Sequence, residues 1–217
     1  EIASCLVGSE MCIRDRNMVA AIVSFLIGTG INFVLAPYLV KELGSETYGF
    51  IGLANNFVQY ATIVTSALNS MSGRFISIEY SKGNIDKASR YFSSVLVADL
   101  IIAGVLLLVS SIITFNIEFI LNVPENLVDS VKILFALTFA TFIISVITAI
   151  FTTAAFVKNK LYINSLRDIA SNTLKLLLVV ILFSFFPAKV YFLAMASLAS
   201  GIFILLTNIK VKKKILP

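Results

Sequence analysis

The chain has no histidine and no tryptophan in 217 residues, only two cysteines and four prolines, and a charged fraction of just 13%. Each scarcity excludes something. Without histidine, a common metal ligand and general base is missing, and the two cysteines, Cys5 and Cys12, match no zinc spacing, so no metal is expected. There is no Gly-rich phosphate loop and no pair of carboxylates within an apolar run. Hydrolysis or group transfer by this chain is therefore not expected, and no catalytic residue is nominated. Nucleic-acid binding would need aromatics interleaved with Lys and Arg on a soluble face, which the sequence lacks. A charge density about half that of an ordinary soluble domain leaves too little polar surface to cover a water-facing fold.

What is abundant is apolar: 59% of residues are hydrophobic and the mean hydropathy is +0.97. Runs with little or no charge recur between basic clusters, and a spanning helix needs roughly 20 such residues. The sequence predicts six spans, at 18–40, 48–73, 93–116, 133–157, 169–187 and 190–209. They read as helices because the strands of a membrane barrel would be short and alternating. The expected class is an all-α integral membrane protein, built as a six-transmembrane-helix bundle.

The basic residues orient it. Arg74, Lys82, Lys87 and Arg90 lie between the second and third spans; Lys158, Lys160 and Arg167 lie between the fourth and fifth; Lys210, Lys212, Lys213 and Lys214 come after the sixth. The positive-inside rule then puts both termini and these loops in the cytoplasm. The net charge of +5 belongs to those loops and implies contact with anionic membrane lipids, not nucleic acid.

The first sixteen residues, "EIASCLVGSEMCIRDR", do not fit the pattern of the rest of the chain. Gly8, Ser9 and Glu10 break their apolar stretch, and no basic region precedes it, so a secretory signal is a poor reading. The string resembles peptides produced when sequencing adapter is read as coding sequence. Residues 1–16 are expected to be non-native, and 17–217 to form the six-span unit.

Polar residues inside the spans fall into stripes. Asn55, Gln59, Thr62, Ser66 and Asn69 succeed one another at intervals of four, three, four and three, along one face of the second span. At ~1.5 Å per residue that stripe is roughly 20 Å long, most of the hydrocarbon depth. The fourth span carries Thr138, Thr141, Ser145, Thr148 and Thr152 at helical spacing too. Hydroxyls can bond to their own helix carbonyls, but amides cannot satisfy themselves that way, so the amide stripe is the stronger signal of a hydrated, substrate-facing surface. The first span carries Gly28, Gly30 and Pro37, which nominate it as a hinge, with Asn32 between them. Close helix packing is the competing reading of its glycines.

Two ionisable residues lie within spans, Asp99 in the third and Lys175 in the fifth. They are open to three readings: an Asp99–Lys175 ion pair; Lys175 facing an anionic substrate while Asp99 takes up a coupling proton; or snorkelling to the interface. "SKGNIDKASRYF" reads as a turn at Gly83 with Asn84 capping a short amphipathic helix, and "NVPENLVDS" places Pro124 ahead of the fourth span.

"YLVKELGSETYGFIGLANNF" places Leu43, Gly44, Tyr48 and Gly49 in an LG-x-x-x-YG arrangement. "NSMSGRFISIEYSKGNIDKASRYFSSVL" comes next, with Arg74 and Phe75 closing the second span, and then "ILNVPENLVDSVKILF". In this order the segments resemble the polysaccharide transporter branch of the multidrug/oligosaccharidyl-lipid/polysaccharide exporter superfamily, the Wzx-type O-antigen and capsule repeat-unit flippases, over about 17–217. The resemblance implies one half of a 12–14 helix exporter fold, in which two six-helix bundles face a central cavity, with the basic tail leading toward the second bundle. It implies a cargo of undecaprenyl-diphosphate-linked oligosaccharide, as in lipopolysaccharide or capsule assembly, and a place in the bacterial cytoplasmic (inner) membrane. Polysaccharide polymerase and glycosyltransferases are the protein partners that fit. No cofactor is implied, while proton or sodium coupling stays open. Substrate-cavity candidates are Asn32, Asn55, Gln59, Thr62, Ser66, Asn69, Arg74 and Lys175, with Asp99 for ion coupling. Two alternatives stand beside it: a drug or small-solute antiporter of the same superfamily, and a non-transporting membrane scaffold for glycan assembly.

Overall fold

A computed structural model describes residues 9–121, 123–125, 127–157 and 161–215. These hold seven helices and no strand: α1 (Ser9–Leu43), α2 (Ser45–Ser81), α3 (Ile85–Phe115), α4 (Ile117–Ile120), α5 (Val128–Val157), α6 (Tyr162–Phe185) and α7 (Tyr191–Ile215). All but α4, a single turn of four residues, are long enough to cross a bilayer.

The chain runs up and down. One residue joins α1 to α2: Gly44, whose φ of 81° is open to glycine and strained for side-chain-bearing residues. Its N–H donates to the Val40 carbonyl (3.0 Å) and its carbonyl accepts from the Tyr48 N–H (3.1 Å), so the backbone bonding of both helices passes through it. That is the physical reason for the glycine of the LG-x-x-x-YG arrangement. Gly83, with φ of 80°, turns the chain from α2 into α3, and the Asn84 side chain reaches back to Glu79 (3.2 Å). Asn84 makes no side-chain cap, and the helix after it is not a short amphipathic one: α3 runs unbroken for 31 residues into the membrane span. Asp86, Lys87 and Arg90 belong to its first turns, which the apolar face of Ala88 and Phe92 carries on into the bundle.

Five of the helices, α1, α3, α5, α6 and α7, are apolar enough as well as long enough to span a membrane, so the protein is an all-α, multi-pass membrane protein. The remaining predicted span, the second at 48–73, lies in α2, which is 37 residues long and uncharged from 47 to 73 but more polar than the other five. Its amides and hydroxyls lower its hydropathy, and they are the residues of the stripe. Large apolar side chains on the outer faces of α1 and α3, among them Phe25, Phe33, Leu108 and Phe115, are exposed, as expected of surface that meets hydrocarbon.

The main core lies at the Gly44 end. Leu35 and Leu39 of α1, Phe50, Ile51 and Ala54 of α2, Val131, Leu134, Phe135 and Phe139 of α5, and Val190, Leu193 and Ala194 of α7 form one buried cluster there. Phe135 is at its centre, edge-on to Phe57 (6.1 Å) and Phe139 (6.0 Å). A smaller cluster of Ile76, Ala88, Phe92 and Ile150 ties α2, α3 and α5 together nearer the Gly83 end. The α5–α7 contact is the most extensive, and a Cβ added at Gly201 would meet the Thr141 and Ile144 methyls at 3.7 and 3.8 Å, so the seam there has room for an alanine. α3 packs on α2 and α5, whereas α6 packs on α1 and α7.

Candidate substrate corridor

The stripe on α2 faces outward from the packed core. Asn55, Gln59, Thr62 and Ser66 are exposed and Asn69 is half-buried. Beside it runs the hydroxyl stripe of α5, a helix packed directly against α2. The two stripes meet in a cavity at each end. Toward the Gly44 end, Asn55 shares a cavity of about 270 Å³ with Thr138, Thr141 and Ser145 of α5, Lys175 of α6 and Ser197 of α7. Toward the Gly83 end, Asn69, Gly73, Arg74 and Ser77 share a wider one, about 710 Å³, with Thr152 and Asn164. The main apolar core thus lies at the Gly44 end and the wider opening toward the Gly83 end.

The hydroxyls do not present their protons to this corridor. Thr62 and Ser66 on α2, and Thr138, Thr141, Ser145, Thr148 and Thr152 on α5, all donate to carbonyls of their own helices, at 2.7–3.0 Å. Their lone pairs remain available, so this surface mostly accepts hydrogen bonds. Among the described residues the side chains of Asn55 and Gln59 have no intramolecular partner, and each can both donate and accept.

Other nominated residues lie elsewhere. Asn32 does not join the corridor: it lines a cavity of about 340 Å³ between α1, α6 and α7, with Ser24, Thr29, Asp168, Ser171 and Asn172. Arg74 and Lys175 are placed in different cavities and do not converge on one point. The ion pairs among the described residues are Lys82–Glu79 (3.1 Å) and Lys132–Glu118 (2.5 Å); Asp99 and Lys175 form none. They cannot meet, because α3 looks onto α2 and α5 while Lys175 looks into the cavity from α6. Asp99 is fully buried, and its Oδ2 has no hydrogen-bond partner. Of the hinge candidates, Gly28 serves packing, since a Cβ there would meet Asn172 Nδ2 at 3.3 Å, whereas Gly30 faces open space. α1 continues as helix through Pro37. Cys5 lies outside the described residues, and Cys12 is placed only as backbone within α1.

A third stripe escapes a reading by spans. Asn164, Arg167, Asp168, Ser171, Asn172 and Lys175 keep helical spacing along α6, and setting the fifth span at 169 cuts off half of them. Arg167, a loop cation by the charge count, is instead buried and donates to Asn208 of α7 and to Asn164 (3.4 Å). Ser171 donates to the Ser200 carbonyl (3.4 Å). Near the open end, Asn17 Oδ1 accepts from the Tyr162 N–H (3.0 Å), and the Arg16 guanidinium stacks over the Tyr162 ring at 4.1 Å.

The described residues thus form a multi-pass helical bundle with an apolar core and apolar outer faces on α1 and α3, and with polar stripes along α2, α5 and α6. Residues 15–215 match the family described as "Polysaccharide biosynthesis protein", and the chain belongs to that family. It is also 31% identical, over 201 residues, to the "Uncharacterized membrane protein EpsK" of Bacillus subtilis (strain 168), a match covering 93% of this chain and 40% of the relative. The chain thus spans about 40% of the length of that curated relative. No solved structure matches it.

Proposed function

We propose that this chain is the substrate-holding half of a lipid-linked oligosaccharide flippase, which moves undecaprenyl-diphosphate-linked repeat units across the bacterial cytoplasmic membrane by alternating access. The observation that carries the proposal is the pair of polar stripes on α2 and α5, each of which contributes residues to both cavities. A sugar headgroup brings many hydroxyl donors, and the corridor offers chiefly acceptors, with the amides of Asn55 and Gln59 free to serve either way. The lipid tail would stay in hydrocarbon, against the apolar outer faces. Arg74 at the open end and Lys175 deeper in would meet the diphosphate in turn rather than together. Rocking of this bundle against a second one would expose the corridor to each side. The membrane is the bacterial inner membrane, with the Gly83 end cytoplasmic. The protein acts as a transporter and performs no bond chemistry.

The test is flipping of a lipid-linked oligosaccharide by the full-length protein in reconstituted vesicles. Replacing Asn55, Gln59 and Asn69 together with leucine should abolish flipping while leaving the folded protein in the membrane. Undiminished flipping would refute the corridor as the headgroup path. Transport of a cationic drug instead of glycolipid would favour the antiporter, and binding of glycan-assembly enzymes without transport would favour the scaffold.

A further inference from the structure

Two buried acceptors without partners lie on the packed helices α2 and α3, and the register of the two helices puts them at the same level. Ile76 of α2 and Phe92 of α3 share one buried cluster, and Phe75 stacks on Tyr91 beside them at 6.3 Å. The helices are antiparallel and unbroken, so seven residues back from Ile76 and seven forward from Phe92 are both two turns, about 10.5 Å, deeper on the same faces. Those positions are Asn69 and Asp99. Asn69 Nδ2 is committed to the Thr65 carbonyl (3.1 Å), leaving Oδ1 buried without a partner, and Asp99 Oδ2 is likewise buried without one. An amide oxygen and a carboxylate oxygen cannot bond each other. One proton satisfies both.

We propose that Asp99 holds a proton and donates it to Asn69 Oδ1, making a proton-binding site in the wall of the corridor. The charges on the surrounding elements leave the site without a counter-ion. α5 is uncharged from 133 to 157, the nearest charge on α2 is Arg74, more than a turn toward the open end, α3 itself carries Arg90 further out, and Glu118 of α4 is at the opposite end. Burying an isolated carboxylate is costly, whereas a neutral acid with an acceptor is not. Asn69 also lines the wide cavity beside Arg74, so a proton lost from Asp99 is felt at the surface that takes the headgroup. This coupling role rests on the flippase reading; the proton site does not.

Infrared difference spectra of the full-length protein in lipid vesicles, stepped in pH without substrate, read the site directly. A carboxylic-acid carbonyl band should be present in the unsubstituted protein and lost in Asp99→Asn, whose amide can still donate to Asn69. Asn69→Leu should keep the band but shift it to higher frequency, because the acid loses its acceptor. No band lost in Asp99→Asn, or an unshifted band in Asn69→Leu, would overturn the proposal. Flipping assays on the same vesicles separate the two ideas: intact bands with no glycolipid transport would refute the flippase reading alone.

Discussion

Arg167 of α6 and Asn208 of α7 are hydrogen-bonded to each other inside the bundle, at 9% and 2% exposure. A guanidinium so placed depends on its acceptors, and one of its nitrogens, Nη2, already has none. Asn208→Leu should therefore destabilise the protein by about 1.5–3 kcal/mol, the range for hydrogen bonds to charged groups. Arg167→Lys should not be neutral, because both bonds come from Nη1, which lies one bond further along the side chain than a lysine Nζ. Thermal unfolding in detergent checks both, and an unchanged midpoint for Asn208→Leu would show that the pair contributes nothing.

The two glycines of α1 separate packing from bending. Gly28→Leu should pry α1 from α6, since even a Cβ meets Asn172 Nδ2 at 3.3 Å, and a spin-label distance between the two helices should lengthen. Gly30 faces open space, so Gly30→Ala should leave that distance alone and stabilise the helix by roughly 0.5–1 kcal/mol. If Gly30→Ala slows transport without loss of stability, flexibility at this point is functional. If it does nothing, the hinge lies elsewhere.

At the α1–α2 joint, Gly44 combines a φ of 81° with a ψ of 156°, a conformation open essentially to glycine alone, so Gly44→Ala should cost about 1–3 kcal/mol. Gly44→Asn should cost about as much, because asparagine is tolerated in the left-handed helical conformation and a ψ of 156° lies outside it. Equal stability of the three proteins would mean that the joint relaxes to another backbone path.

Glu79 gives the Gly83 turn a pH dependence. Hydrogen bonds from Lys82 first, and then Asn84, hold its carboxyl below the usual glutamate value. A carboxylate whose value is lowered by folding contributes at neutral pH and loses that contribution as pH falls through its folded value. Amide exchange at Lys82, Gly83 and Asn84 should accelerate on acidification by more than the change in intrinsic rate accounts for. In Glu79→Gln the excess should vanish. Because Glu79 is close to solvent, the effect should be small and weakened by salt.

Much of this architecture is legible in sequence because membrane helices derive from hydropathy, and amides at helical spacing stand out against an apolar background. Asn55, Gln59 and Asn69 stand out for that reason. Lys175 is evident as an intramembrane charge, but its position beside Asn55 is not, because that depends on how α6 leans over α5 and α7. Asn32 shares only its residue type with the stripe and belongs to another cavity. Arg167 and Asp168 are lost at a boundary: a charged pair near a span end reads as loop, and only the periodicity running on through Ser171, Asn172 and Lys175 shows them to be helix. The pairing of Asn69 with Asp99 needs the register of α2 against α3, which Ile76 and Phe92 set through contacts between distant parts of the chain.

Whether water enters the corridor distinguishes it from a merely polar packing seam. In a background with Cys5 and Cys12 replaced by serine, single cysteines at Gln59 and Ser66 should react quickly with a water-soluble thiol reagent. Cysteines at Val105 and Leu108, 55% and 65% exposed on α3, should react slowly, because the open space around them is lipid. All four sites are exposed by geometry, so exposure alone predicts equal rates and hydration predicts unequal ones. The thiolate is the reacting species, and it forms poorly in hydrocarbon, which widens the difference. A glycolipid headgroup in the corridor should then protect the positions at 59 and 66 and leave the α3 pair unaffected. Equal slow labelling at all four sites would mean a dry stripe, and the amides would have to be explained by contact with a second bundle instead.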